Sequence, residues 1–358
     1  MKVGQSEKPL KKVVLGIDIG GTKVAIAAAD LRGHVLVRSR FATQVEIGPQ
    51  AIVEKIIRQV KDIVCELGAP PIAAVGVGCG GPLDPISGII LSPPNLPGWN
   101  QFPLADLLAD AFAAPVYIDN DANVAALGEY RFGAGAGSDV FVYVTVSTGI
   151  GGGVVINGRL LHGVGAGAGE VGHQTIIPEG PKCTCGNRGC LEALASGTAI
   201  ARRMRERMLQ EGRRSLAGTS VVESITAEDV VQAARANDAL ALEVWHDTVE
   251  YLGIGLANVL TILAPQVLVV GGGVARAGDF LFVPLREVIR RHVFQVPVSN
   301  ISIAPPELGD DVGVVGAITL AIQGIRKGRS RVAEQQLKAA ATEGDGVEPS
   351  TGHTPRAM

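Results

Sequence analysis

Apolar residues recur along this chain with two periods, one of two residues and one of three to four. The stretch Val13 to Asp18 is apolar and β-branched, breaks at Gly20-Gly21, and resumes as Thr22 to Ala29 before a second turn at Arg32-Gly33. That pattern predicts a strand, a tight glycine turn and a returning strand. Residues 49 to 67 place Ile52, Ile56, Ile57, Val60, Ile63 and Val64 on one helical stripe, and Ala73 to Cys79 reads as a buried strand. Strand, helix and strand in succession predict a layered α/β lobe. The proline-rich segment Pro82 to Pro103, which contains Pro93-Pro94-Asn95-Leu96-Pro97-Gly98-Trp99, reads as a loop without regular structure.

Beyond a helix over Leu104 to Phe112 and a short strand at Val116 to Ile118, the polar run Asp119-Asn120-Asp121-Ala122-Asn123 opens a helix through Phe132. Val140 to Val146 is a strand, and Ser147-Thr148-Gly149-Ile150-Gly151-Gly152-Gly153 turns into the strand Val154-Val155-Ile156, with Asn157-Gly158 as the following turn. This echoes the opening strand, glycine turn, strand and turn, and suggests an internal duplication. Residues 199 to 262 are mostly helical with an interruption near Gly212 to Ser224, and Val267 to Val270 is a strand ending in Gly271-Gly272-Gly273. Val312 to Ile322 is small and apolar enough to pack as a helix against either lobe. The expected organisation is an N-terminal tail over 1–12, a smaller α/β lobe over 13–118 joined by a helix at 312–326, a larger α/β lobe over 119–311, and a flexible C-terminal tail over 327–358.

At 358 residues the chain suits two lobes with a cleft between them better than one core. With 47% hydrophobic and 19% charged residues it should be globular, and its 47 glycines cluster after apolar runs, where close backbone approach to a phosphate would use them. A net charge of −3 with scattered Lys and Arg supplies no field for nucleic acid. The longest apolar stretch, Leu252 to Val270, is interrupted by Asn258, Thr261, Pro265 and Gln266, so no membrane span is expected. Residues 1 to 12 are polar and basic, and the expected address is cytoplasmic. Of five cysteines, three fall within eight residues, which suits a metal site in a reducing compartment. Cys65 and Cys79 read as core residues.

Four groups of residues carry candidate chemistry. In Asp18-Ile19-Gly20-Gly21-Thr22-Lys23, the glycines open backbone N–H groups to phosphate oxygens, Thr22 and Lys23 add donors and charge, and Asp18 stands where a Mg²⁺ shell needs a carboxylate. A second donor-rich turn, with Thr148, Gly149 and Gly151, would clamp a triphosphate from the other side. Asp121 either caps the following helix or accepts a hydroxyl proton during phosphoryl transfer. The most specific group is Glu170-x-x-His173 with Cys183-x-Cys185-Gly186-x-x-Gly189-Cys190-x-Glu192. His173, Cys183, Cys185 and Cys190 supply the four ligands of a tetrahedral Zn²⁺, and a full ligand set makes the ion structural. Glu170 and Glu192, held on that loop, would accept hydrogen bonds from the hydroxyls of a sugar.

On these motifs, from about Val13 to Gln323, the chain resembles the ROK family (repressors, open reading frames, kinases), and within it the bacterial ATP-dependent glucokinases. The resemblance implies an actin-like ATPase (ribonuclease H-like) fold, duplicated into two lobes with an interlobe cleft. It implies Mg-ATP held by both glycine turns and by Gly271, Gly272 and Gly273. Asp121 would be the general base, with Asn120, Glu170, His173 and Glu192 on sugar hydroxyls and His173 serving zinc and sugar together. The loop carrying Asn95 would line the sugar site, and its form, Asn95 to Trp99, is similar to that of glucokinases. Members commonly form homodimers. The stretch Leu209 to Ser224 and the tail look like additions to the family pattern.

The expected reaction is therefore transfer from ATP to a hexose, glucose first, with N-acetylmannosamine, N-acetylglucosamine or fructose as alternative acceptors and polyphosphate as an alternative donor. Sugar-responsive repressors of the same family and non-kinase actin-like ATPases are the rival classes. Against the first stand the few residues before the first glycine turn and the lack of a basic patch. Against the second stands the Glu170 and Glu192 pair, which needs a polyol.

Overall fold

The computed structural model describes residues 11–210, 212, 214–215 and 222–344. Half of the expected addition at 209–224, the first ten residues of the N-terminal tail and residues 345–358 of the C-terminal tail lie outside the described residues.

Strands β1 (Val13–Ile19), β2 (Lys23–Ala29) and β3 (Val35–Ala42) run antiparallel in turn. Helix α1 (Pro49–Glu66) crosses over, burying Ile52, Val53, Ile56, Val60 and Ile63, and β4 (Ile72–Cys79) returns parallel to β1. Cys65 lies on the exposed side of that helix, contrary to its expected place in the core, whereas Cys79 is buried. Within the proline-rich segment β5 (Leu83–Asp84) and β6 (Ile89–Ile90) pair as an antiparallel ribbon, so the expected irregular loop holds regular structure. Asp84 closes its turn by accepting from the Ile86 N–H at 2.9 Å and the Ser87 hydroxyl at 2.6 Å, a local device that periodicity does not register over two-residue strands. Helix α2 (Leu104–Phe112) leads to β7 (Val116–Asn120), which completes a sheet of order β3-β2-β1-β4-β7.

Helix α3 (Asp121–Phe132) leaves the end of β7 directly. Strands β8 (Val140–Val146), β9 (Ile150–Ile156) and β10 (Arg159–Leu160) again run antiparallel. Helices α4 (Leu191–Ala195), α5 (Gly197–Gln210), α6 (Ala227–Arg235) and α7 (Ala239–Leu263) precede β11 (Val267–Gly271), which lies parallel to β8. Helix α8 (Asp279–His292) then leads to β12 (Ser302–Ala304), parallel beside β11. The order β10-β9-β8-β11-β12 repeats the first sheet strand for strand in order and sense, as the suspected duplication requires.

Helix α9 (Val312–Gly344) brings the chain back to the first sheet. Strand side chains alternate between faces. On β1, Leu15, Ile17 and Ile19 pack toward Ile52 and Ile56 of α1, while Val14 packs with Val314, Val315, Ile318 and Ala321 of α9. Glycines set the depth of that contact: a Cβ on Gly76 would run into the Ala317 carbonyl oxygen, and one on Gly16 would come within 2.5 Å of that of Val314. The helix continues to Gly344, so residues 327–344, expected as an irregular tail, are helical. Their run of Lys, Arg, Ala, Glu and Gln favours a helix even without an apolar stripe. Among the described residues no helix is long and apolar enough to cross a membrane.

Candidate active site

Parallel strands β1, β4 and β7 end level with one another, with Ile19 opposite Cys79 and Cys79 opposite Asn120. Chemistry-bearing residues gather at that edge. Asn120 ends β7 and caps α3, its Oδ1 accepting the Ala122 N–H at 2.9 Å. The cap position therefore belongs to Asn120, and Asp121 is the first residue of the helix, with Oδ1 also 2.8 Å from the Ala122 nitrogen. The turn after β4 leaves room beside the pair: a Cβ on Gly80 would stand 3.9 Å from Asp121 Oδ2, and one on Gly81 3.1 Å from Asn120 Nδ2.

Asp121 is exposed at the end of the sheet, yet protein crowds its carboxyl. That withdrawal from bulk water raises its carboxyl, against the pull of the backbone N–H groups beside it. Asp18, on β1, is raised to about 7, first by burial and then by the charge of Asp121, while Lys23 and Arg40 oppose the shift. Two carboxylates facing one space in this way would be stabilised by a cation between them or by a shared proton.

The first glycine turn is tight, with the Gly20 N–H donating to the Lys23 carbonyl at 3.0 Å. Thr22 and Lys23 are exposed at its tip. Thr43, fully buried, braces it by donating its hydroxyl to the Gly20 carbonyl at 2.6 Å and its N–H to the Thr22 carbonyl at 3.0 Å. Gly21 lies against the loop that bears Asn95, where a Cβ would sit 2.8 Å from the Asn95 carbonyl oxygen. That loop is anchored by Leu96 and Trp99, both buried, and leaves Asn95 exposed. The first glycine turn and the Asn95 loop thus touch.

The second turn is shorter than its glycines suggest. Strand β9 begins at Ile150, so Gly151 is a ladder residue opposite Thr145 and packs against Ala122 of α3, where a Cβ would meet the Ala122 Cβ at 3.1 Å. Thr148 and Gly149 form the open tip. Gly271 is likewise the buried end of β11, while Gly272, at φ 87°, and exposed Gly273 make the turn beyond it.

Past Ala122 and Gly151 the site runs on without a break. The Ile150 N–H donates to Glu192 Oε2 at 2.9 Å, and the Thr184 hydroxyl lies 3.4 Å from Glu192 Oε1. Thr184 belongs to the cysteine loop. His173, Cys183, Cys185 and Cys190 bring their ligand atoms within 4.8 Å of one another. With Zn–S near 2.3 Å and Zn–N near 2.0–2.1 Å, a tetrahedral ion requires S–S edges of about 3.8 Å and S–N edges of about 3.6 Å. Cys185 Sγ to Cys190 Sγ is 3.7 Å and Cys183 Sγ to His173 Nδ1 is 3.6 Å, so the donor set fits. Burial pushes the Cys190 thiol up to about 12, with Cys185 and Cys183 adding to the shift, and a thiolate there needs a cation's charge beside it. Because Nδ1 of His173 faces the sulfurs, Nε2 faces Glu170, 3.9 Å from its Oε2.

Of the residues marked from the sequence, Asn120, Asp121, Glu192 and the cysteine loop are joined in this run and Gly21 meets the Asn95 loop, whereas Gly151 and Gly271 are strand residues and not parts of an open turn. Two features escaped notice: Thr43 and His162. Neither stands in a motif, and each acts through a partner far away in the chain.

The chain matches the ROK family model over residues 14–324. It is 37% identical over 318 residues to a glucokinase of Thermotoga maritima, covering 87% of this chain and 97% of that one. A crystal structure of a ROK hexokinase from Thermus thermophilus superposes with a TM-score of 0.77 at 35% identity, covering 88% of this chain and 99% of that one. A ROK family glucokinase from Streptomyces griseus, solved in complex with glucose and AMPPNP, superposes with a TM-score of 0.72 at 34% identity over 87% of this chain and 99% of that one.

Proposed function

The chain belongs to the ROK family, and on that premise we propose that it transfers the γ-phosphoryl group of Mg-ATP to a hexose, with glucose as the acceptor and Asp121 as the general base. The observation that carries this reading is the position of Asp121, exposed at the end of β7, within electrostatic reach of Asp18 and at the start of the run from Asn120 to Glu192. The named substrates of the relatives support it, since the Streptomyces griseus enzyme holds glucose and an ATP analogue in one complex.

Phosphoryl transfer passes through a loose transition state, so positioning and charge compensation carry most of the work. The tips Gly20 to Lys23 and Thr148-Gly149, with Gly272-Gly273, present donors to the phosphates. Bound beside Asp18, Mg²⁺ would offset the charge of the phosphate oxygens. Asn95, Asn120, Glu170, His173 Nε2 and Glu192 hold the acceptor's hydroxyls, and Asp121 takes the proton of the attacking one. Its raised carboxyl makes it a better match for that proton than an ordinary aspartate. His173, Cys183, Cys185 and Cys190 would hold Zn²⁺, which would fix the loop on which Glu170 and Glu192 stand. A homodimer in a reducing cytoplasm completes the reading.

A coupled assay for ADP across glucose, N-acetylmannosamine, N-acetylglucosamine and fructose tests it. Glucose should give the highest kcat/KM. ADP release that does not depend on sugar, or an N-acetylhexosamine preferred by about tenfold, would overturn the assignment.

A further inference from the structure

Asp119 precedes the Asn120-Asp121 pair on β7 and is only 2% exposed. Its Oδ1 accepts the Asn120 backbone N–H and Asn123 Nδ2, both at 2.9 Å, and its Oδ2 lies 2.7 Å from Nε2 of His162. A carboxylate buried this deeply is costly unless it is both paired and hydrogen-bonded. Two neutral donors fill one oxygen, and the half-buried His162 fills the other.

His162 is forty-three residues away in sequence and lies just beyond β10. The N–H of Leu161 donates to the Val154 carbonyl at 2.9 Å, fastening the loop to β9, and the His162 carbonyl accepts the Ala168 N–H at 2.9 Å. From Ala168 the chain needs two more residues to reach Glu170. One side chain therefore joins the strand end that presents Asn120 and Asp121 to the loop that presents Glu170 and His173.

We propose that His162 is a positioning residue for the phosphoryl transfer: through Asp119 it holds both halves of the acceptor site in one register. The proposal rests on the hexose-kinase reading above. It assigns no contact with the substrate to His162 or Asp119. Their effect is exerted through Asn120, Asp121 and Glu170, so it should fall on the sugar and on turnover and not on the nucleotide.

His162 also titrates. The hydrogen bond to Asp119 raises the imidazole above its ordinary range, while burial and the Lys327 ammonium oppose the shift. The charged groups facing the ring are thus Asp119 from β7 and Lys327 from α9. A raised histidine contributes its full stabilisation at low pH and loses it as pH climbs through the shifted value. The clamp is tightest with the imidazolium formed and slackens on the alkaline side.

Steady-state kinetics with glucose and Mg-ATP between pH 6 and 9 test this, on wild type, His162→Phe and His162→Gln, together with an NMR titration of the His162 ring in wild type and Asp119→Asn. His162→Phe should lower kcat and raise the glucose KM, each by about tenfold, with the ATP KM within about twofold. His162→Gln, which keeps a donor for Asp119, should recover most of both and flatten the alkaline rise in glucose KM. The ring pKa should fall in Asp119→Asn. Wild-type glucose kinetics in His162→Phe, or equal rises in both KM values, would overturn the positioning role. So would a ring titrating near the ordinary value of about 6.5 in an active wild-type enzyme. If the wild-type protein phosphorylates no hexose, the kinase reading falls and the positioning role falls with it.

Discussion

One oxygen of the Glu192 carboxylate accepts the backbone N–H of Ile150 at 2.9 Å, and so joins the segment after the cysteine loop to the turn that presents Thr148 and Gly149. A Cβ on Gly149 would run into the same oxygen. On the proposed function, the sugar and nucleotide sites therefore share a part. Glu192→Ala should raise the KM for both substrates, each by about tenfold or more. Glu192→Gln keeps an oxygen that can accept from Ile150 and should raise the hexose KM alone. Steady-state kinetics with each substrate varied in turn would check this, and an unchanged ATP KM in Glu192→Ala would refute the shared part.

Asp121→Asn should lower kcat by about 10²–10⁴-fold, the usual range for loss of a positioned base, and leave hexose binding within about threefold of wild type. In the wild type the base must be ionised to accept a proton. Because burial raises its carboxyl, the acid limb of kcat should lie above the ordinary carboxylate range and vanish in the variant. Near-normal turnover in Asp121→Asn would exclude this residue as the base.

Asp18 is raised from 3.8 to about 7, so its contribution to stability is complete below about pH 4 and is lost as pH rises through 7. The ligand-free protein should melt at a higher temperature at pH 5.5 than at pH 8. Asp18→Asn, which removes the buried charge, should raise Tm at pH 8 by about 2–4 °C and abolish Mg-ATP-dependent turnover. Thermal melts across pH would show it, and a lower Tm in Asp18→Asn at pH 8 would contradict the sign.

Cys185→Ser should lose close to one equivalent of zinc by elemental analysis and raise the hexose KM by about 10–100-fold, since Glu170, His173 and Glu192 are all oriented by the loop. The ATP KM should move less. Full hexose affinity in zinc-depleted protein would separate the metal from acceptor binding.

Much of this architecture was legible in the amino-acid order, for reasons that can be named. The central strands carry unbroken apolar runs because both of their faces are covered, and the cysteine spacing has few explanations besides a metal. Strand β3 escaped because it alternates at the surface, with Arg38 and Arg40 reaching Asp311 far along the chain. Strand β12 has only three residues, too few for any period. Gly151 and Gly153 read as parts of a phosphate turn, but they are flat places in β9 over which α3 lies. A glycine that admits a ligand and a glycine that admits a helix look alike until the neighbour is known. His162 is the sharper case, because its meaning resides wholly in Asp119.

The covering of the first sheet by α9 has a temporal side. Val14, Ala25, Ala27 and Ala74 are made early in translation, yet the residues that shelter them, Val314, Val315, Ile318 and Ala321, are among the later ones. All the strands of that sheet lie between Val13 and Asn120, so the sheet is complete long before the helix that covers it has been made. During synthesis the first sheet therefore waits, one greasy side bare, until the last helix arrives to cover it. Chaperone capture during synthesis should therefore concentrate on the part of the molecule that is made first.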